Sequence, residues 1–318
     1  MTEKTTLDSG NIELVPSRPQ SNVRWDKRPF FRQKILPWVF IAPITILYVM
    51  VVIGPSISAI GYSLTDWSGI GEAEFIGLEN FRKLFFEDSN FRIAFGNNLR
   101  WMIFFLSVPF ILALIAASML APIKRGAMFL RTSIFIPYVL PSVVVVAIWR
   151  NLLSPRRGIG AWLGDRGFEQ FNRAYFGNPD TALFSIAFVD NWHFWVFLLI
   201  LFLTAMQSIP PELYEAARID GATRVQEFWY VTVPGILPTL AFMLMMTAIW
   251  SFLVFDYVWL LTQGGPAGAS EVLGTFLYKE AFNRFEAGYA SAVGLTISTF
   301  AMLIMGFVVF LRRRGVEI

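Results

Sequence analysis

Six stretches of this chain carry no charged side chain for 18 residues or more: 35–65, 101–123, 132–149, 191–211, 228–255 and 287–311. A helix crossing the hydrocarbon of a bilayer needs about 20 mostly apolar residues. The third run reaches that length if it begins at Gly126 and Arg131 snorkels to the interface. The fourth reaches it if it begins near Ala182, with Asp190 tolerated inside. Backbone groups in lipid must be bonded internally, so only helices or a closed barrel can span. Runs this long are not the alternating ten-residue segments of a barrel. The expectation is an all-α integral membrane protein with six transmembrane helices.

Composition agrees. Of 318 residues, 55% are apolar and 15% charged, against about 25% charged in soluble domains. Cysteine is absent and His193 is the single histidine. That removes disulfide frameworks, thiolate metal sites and Cys nucleophiles, and leaves little room for zinc clusters or His-based triads. The net charge of +3 is small for the chain. Where the charges lie matters more than their sum.

Lysine and arginine in short flanks set orientation. Residues 1–34 hold Lys4, Arg18, Arg24, Lys27, Arg28, Arg32 and Lys34; the turn between the second and third runs holds Lys124, Arg125 and Arg131; the end holds Arg312, Arg313 and Arg314. The loop from 66 to 98 instead sets six acids (Asp66, Glu72, Glu74, Glu79, Glu87, Asp88) against Arg82, Lys83 and Arg92. Six spans put both termini on the basic, cytoplasmic side, together with the segment at 207–233. The loop after the third run opposes this with Arg156, Arg157, Arg166 and Arg173. Residues 1–34 read as a largely disordered cytoplasmic tail, 35–311 as the six-helix domain and 312–318 as a short cytoplasmic tail.

One cytoplasmic segment, SIPPELYEAARIDGATRVQEFWYVTVPGILP at 208–238, is unlike an ordinary loop. Pro210 and Pro211 open a helix, with Glu212 and Glu215 in its first turns, where the helix dipole favours acids. Gly221 suits the position just past a helix end. Thr223 and Gln226 match a capping box that starts a second helix. Leu213, Ala216 and Ala217 share a face of the first. Such an element can transmit motion between a cytoplasmic protein and the spans; equally, it can lie on the lipid headgroups.

Glu215-Ala216-Ala217, then Asp220-Gly221-Ala222, Phe228, Pro234 and Pro238, resemble the EAA loop of bacterial ABC importer permeases, with spacing EAA-x2-DGA-x5-F-x5-P-x3-P. LTQGGPAGASEVLGTFLYKEAF at 261–282 is similar to the LTxGGP segment of the first permease subunit in the sugar branch, and FIGLENFRKLF at 75–85 to its FxGLxNF stretch. The resemblance implies the type I permease fold and a place in a bacterial or archaeal cytoplasmic membrane. It implies a heterodimer with a second permease, two ATPase subunits that carry the ATP and Mg, and an extracytoplasmic solute-binding protein. It assigns ATPase coupling to Glu215, Ala216, Ala217, Asp220, Gly221 and Ala222. No G-x4-GK[ST] loop is present to cradle ATP phosphates, so the chain is expected to be a non-catalytic pore subunit with no cofactor of its own.

Ionisable groups inside spans are costly and commonly line a cavity or meet a partner. Asp190, Asn191, Trp250, Asp256 and Tyr257 are the candidates for a sugar path, since carboxylates and amides suit hydroxyls and aromatic faces suit C–H surfaces. Against this, the aromatics suit an interfacial belt, Asp190 an outer boundary in water, and Asp256 a helix cap or an ion pair with a partner. His193 reads as structural. Gly264, Gly265 and Gly268 read as a tight external turn contacting the binding protein or the second permease. Ala113, Ala116 and Ala117 point to close helix packing. A secondary transporter, or an importer of the same family for a solute such as a glycerol phosphate, is the alternative; a membrane-embedded enzyme is the third. The secondary-transporter reading asks for repeated halves and broken helices, which the sequence does not display.

Overall fold

The structure, a computed structural model, describes residues 36–123 and 125–314. The tail expected at 1–34 lies outside the described residues, as does Lys124. The chain divides into two compact units, 1–55 and 56–318. The described part of the first is helical from Leu36, with Pro43 inside the helix and one wide turn at Val49–Ile53.

Of the six expected spans, four are continuous helices: α1 (Pro37–Tyr62), α2 (Ser89–Leu120), a later helix at Ala182–Gln207 and a last one ending at Leu311. The other two are bent. The third run forms α3 (Ala127–Val139) and α4 (Ser142–Leu152), which meet at 92°. This corrects the simple third span, and the cause is in the sequence. Pro141 has no N–H to continue the helix, and it drives Leu140 into an extended conformation, φ −72° and ψ 132°. α5 (Ala182–Gln207) begins where the expected extension places it. The coupling-type segment forms α6 (Pro211–Ile219) and α7 (Arg224–Gly235). α7 meets α8 (Leu237–Phe252) at 71°, between Pro234 and Pro238.

After α8 the chain is not helical at Leu253–Phe255 and resumes as the short α9 (Asp256–Leu261). Broken helices are therefore present. α10 (Leu273–Tyr278) and α11 (Ala287–Arg313) complete the fold. A two-residue antiparallel pair, Thr65–Asp66 with Glu74–Phe75, closes the loop after α1.

α2 and α5 form the axis of the larger unit. Ala113 and Ala117, one turn apart on α2, are fully buried against Leu198, Leu199, Phe202 and Leu203 of α5. Small side chains let the two helices approach closely; Ala116 is only partly buried beside them. A second core gathers Trp101 and Phe105 of α2, Val145 and Val146 of α4, Ile186 and Val189 of α5, and Val258 and Leu261 of α9.

α2 begins twelve residues before its uncharged run. Its N-cap is Asp88, whose Oδ1 accepts from the backbone N–H groups of Asn90 and Phe91 at 2.7 and 3.2 Å. The first turns also carry Asn97 and Asn98, both buried. Asn98 Nδ2 donates to the Ser251 carbonyl at 2.7 Å, and its Oδ1 accepts from the Leu273 N–H at 2.8 Å. Asn97 Nδ2 donates to the carbonyls of Ala269 and Glu271. Two adjacent amides thus tie the end of α8 and the glycine-bearing loop to α2. In that loop Gly264 and Gly268 take positive φ, 82° and 79°, as a tight turn requires. A methyl group at Gly264 would run into the Glu271 carboxylate, itself ion-paired with Lys279.

Candidate functional site

The segment at 208–238 is a braced helix–turn–helix. α6 starts with Pro211 in its first turn and ends in a Schellman motif. There Gly221, φ 80°, donates to the Arg218 carbonyl at 3.1 Å, and Ala222 donates to the Ala217 carbonyl at 2.9 Å. The capping box is formed: Thr223 N–H donates to Gln226 Oε1 at 2.8 Å, and Gln226 N–H to Thr223 Oγ1 at 3.4 Å. Sequence reasoning missed three further braces. Arg218 Nε meets Glu227 Oε1 at 2.9 Å, with Glu227 buried. Tyr214 Oη and Thr232 Oγ1 lie 3.0 Å apart, joining α6 to α7. Gly235 sits so close to Ile209 that a β-carbon there would need Ile209 to move.

Of the expected coupling residues, Glu215, Ala216, Asp220 and Gly221 are exposed, while Ala217 and Ala222 are half-buried. Leu213, Ile219, Val225 and Tyr230 of the same two helices are also exposed, Ile219 at 85%. The segment keeps its own hydrogen bonds inside and turns a mixed apolar and acidic surface outward.

The second candidate is a cavity of about 290 Å³. It is bounded by α2, α5, the end of α8, the non-helical residues Leu253–Phe255 and the start of α9. Four of the five path candidates line it: Asp190, Trp250, Asp256 and Tyr257. The helix break makes this convergence, because it lets Asp256 and Tyr257 turn back toward Trp250 and Ser251. Irregular backbone at membrane depth is tolerated where it lines a cavity.

Asn191 is not among the lining residues. It is buried, and its Oδ1 has no hydrogen-bond partner among the described residues. Asp190 and Asn191 point about 100° apart on α5, and of the two it is Asp190 that lines the cavity. His193 acts in the frame: its Nε2 lies 3.1 Å from the Tyr138 carbonyl, and its ring stacks on Tyr138. It thereby steadies α3 beside the break at Pro141.

Lining groups that sequence reasoning did not single out are Trp101, Phe105, Phe194, Thr247, Ser251 and Phe255. The Thr247 and Tyr257 hydroxyls are buried and have no hydrogen-bond partner among the described residues. Trp250 packs edge-on to Phe194, centroids 5.9 Å apart. The wall therefore combines unpartnered hydroxyls, two carboxylates and aromatic rings. No cluster of metal-ligating side chains occurs among the described residues.

Residues 99–315 match the family described as "Binding-protein-dependent transport system inner membrane component". The chain is 36% identical over 280 residues to the probable ABC transporter permease protein YurN of Bacillus subtilis strain 168, covering 86% of this chain and 95% of that protein. It is 32% identical over 286 residues to the sn-glycerol-3-phosphate transport system permease protein UgpA of Salmonella choleraesuis, covering 89% and 95%. Among solved structures it shares its fold with a chain of a bacterial alginate ABC transporter in complex with an alginate pentasaccharide-bound periplasmic protein. That match has a TM-score of 0.80, 24% identity, and covers 90% of this chain and 97% of the other. The bent and continuous helices, the braced segment at 208–238 and this match belong together: the chain is a multi-pass membrane protein of the binding-protein-dependent transport system inner membrane component family, an ABC importer permease.

Proposed function

We propose that this permease forms half of the translocation path of an ATP-driven importer for a sugar or oligosaccharide, the other half coming from a second, related permease. The observation that carries the solute class is the cavity wall. Buried hydroxyls without partners among the described residues, at Thr247 and Tyr257, are costly unless something bonds them. Trp250 and Phe255 beside them bring aromatic rings to the same wall, which suit the C–H surface of a sugar. The pentasaccharide-bound periplasmic protein seen with the alginate transporter supports the same class of cargo. A second reading, a glycerol phosphate, draws on the name of the UgpA relatives.

In this proposal both termini are cytoplasmic, and α6 and α7 dock on an ATPase pair that carries ATP and Mg. Glu215, Ala216, Ala217, Asp220, Gly221 and Ala222 present the coupling surface, and an extracytoplasmic binding protein delivers the solute. The chain itself is a pore subunit without catalysis. The exposed apolar and acidic face of α6 supports the docking, because braced backbone lets that surface move as a unit.

Copurification from native membrane in mild detergent tests the assembly. The expected result is one second permease and an ATPase pair; the chain alone, or only with itself, overturns it. Asp256→Ala tests the path. Unchanged uptake and unchanged apparent affinity would remove Asp256 from it.

A further inference from the structure

The charge of the cavity wall has a consequence for which solutes pass. Asp190 and Asp256 line one space, and neither takes part in an ion pair among the described residues. Among the described residues, no Lys or Arg lines the cavity. Arg150, on the neighbouring α4, bonds the carbonyls of Leu260 and Leu261 at the end of α9 instead. It fixes the helix that carries Asp256 and leaves the carboxylate uncompensated. His193 is turned to the Tyr138 carbonyl. The remaining polar groups on the wall, Thr247, Ser251 and Tyr257, are neutral hydroxyls.

From this geometry we propose that the cavity selects by charge: it admits neutral and cationic sugars and rejects anionic ones. The proposal rests on the sugar-path reading above and narrows it. An anion entering this space would meet the Asp256 carboxylate beside Asp190, with no basic side chain among the described residues of this wall to receive it. A neutral sugar donates its hydroxyls to the carboxylates, and an amino sugar pairs with them. The cargo in the names of the relatives is anionic: sn-glycerol-3-phosphate for UgpA and the acidic polysaccharide alginate for the solved transporter. This chain shares the fold of the alginate transporter chain and, in this proposal, serves a different charge class.

The test uses the purified complex, with every subunit that copurifies but no binding protein added, so that recognition is read from the membrane part alone. Three tetramers of matched length are titrated: cellotetraose (neutral), a glucosamine tetramer (cationic) and a mannuronate tetramer (anionic). Quenching of tryptophan fluorescence is the signal, checked by equilibrium dialysis. Expected is binding of the first two, with the anionic tetramer weaker by about tenfold or more. In the double variant Asp190→Asn with Asp256→Asn, the ratio of anionic to neutral affinity should rise by about tenfold and the cationic preference should fall. Co-elution of the same subunits checks that this variant is assembled, and either single Asn variant gives a partial rise if the double variant is not. An anionic tetramer that binds wild type as well as the neutral one overturns the proposal, and so does an unchanged ratio in the variants. If none of the three binds wild type, the sugar reading itself fails, an outcome distinct from loss of charge selection alone.

Discussion

The segment at 208–238 and the cavity at the end of α8 treat polar groups in opposite ways. In the first, nearly every backbone end is met within the segment: Gly221 and Ala222 close α6, Thr223 and Gln226 cap α7, and Arg218 bonds Glu227. In the second, among the described residues, the hydroxyls of Thr247 and Tyr257 are left without partners and Asp190 and Asp256 without counterions. A surface that passes force must be stiff before its partner arrives, so it is satisfied in advance. A surface that binds a passing solute leaves its bonds open.

The most damaging way to break the first region is Gly221→Val. A β-branched residue at φ 80° costs about 1–2 kcal/mol, and the turn that aims α7 from α6 is lost. Uptake should fall by at least about tenfold, while the assembled membrane domain remains soluble in detergent with its helix content intact by circular dichroism. Wild-type uptake and normal association with the ATPase would show that the turn does not set the coupling geometry.

Asn98→Ala separates frame from wall. It strips partners from the Ser251 carbonyl and the Leu273 N–H, each buried, at about 1–3 kcal/mol apiece. The thermal midpoint of the purified complex should drop by several degrees, and the apparent affinity for solute should weaken because Ser251 lines the cavity. A lowered midpoint with unchanged affinity would make Asn98 purely structural. A milder change, Tyr257→Phe or Thr247→Val, removes a hydroxyl that has no partner among the described residues. The fold should lose nothing measurable, and apparent affinity should weaken about three- to tenfold. Opposite behaviour, a destabilised fold with unchanged affinity, would mean the hydroxyl is bonded within the assembly.

Much of this was legible because local rules decide it. Gly221 and the Thr223–Gln226 pair carry their geometry in residue type and spacing, and the apolar runs carry the helices. The bend at Pro141 was also written in the chain, but an uninterrupted apolar run masked it. Pro137 sits inside α3 with no such break, so proline alone does not announce one. The cavity was only partly legible. Asp190 and Asp256 stand out by their cost in a span, whereas Thr247 and Trp101 look like ordinary helix residues until α2, α5 and α8 converge. Asn191 is buried beside the cavity and does not line it, a difference in side-chain direction that its place next to Asp190 in the sequence does not reveal. The Asn97–Asn98 pair at the mouth of an apolar run was a signal of buried bonding that composition alone does not resolve.

Glu280 gives the smallest effect and sharpens the contrast. It is 1% exposed and pairs with Arg284 at 2.6 Å through one oxygen, while its other oxygen has no partner among the described residues. Burial pushes its carboxyl above the ordinary value of 4.5, against the pull of Arg284. The folded protein therefore holds this proton more tightly than the unfolded chain does. The resulting stability is complete below about pH 4.5 and is lost as pH rises through the raised folded value. Glu280→Gln keeps a hydrogen-bonding oxygen for Arg284 and removes the titration. Its thermal midpoint should lie on a flatter pH profile than wild type, the two curves diverging by about 2 °C across that window. Parallel profiles would mean that Arg284 fully compensates the burial. Glu280 would then be a satisfied acid like Glu227, not one held part-way between the two regions.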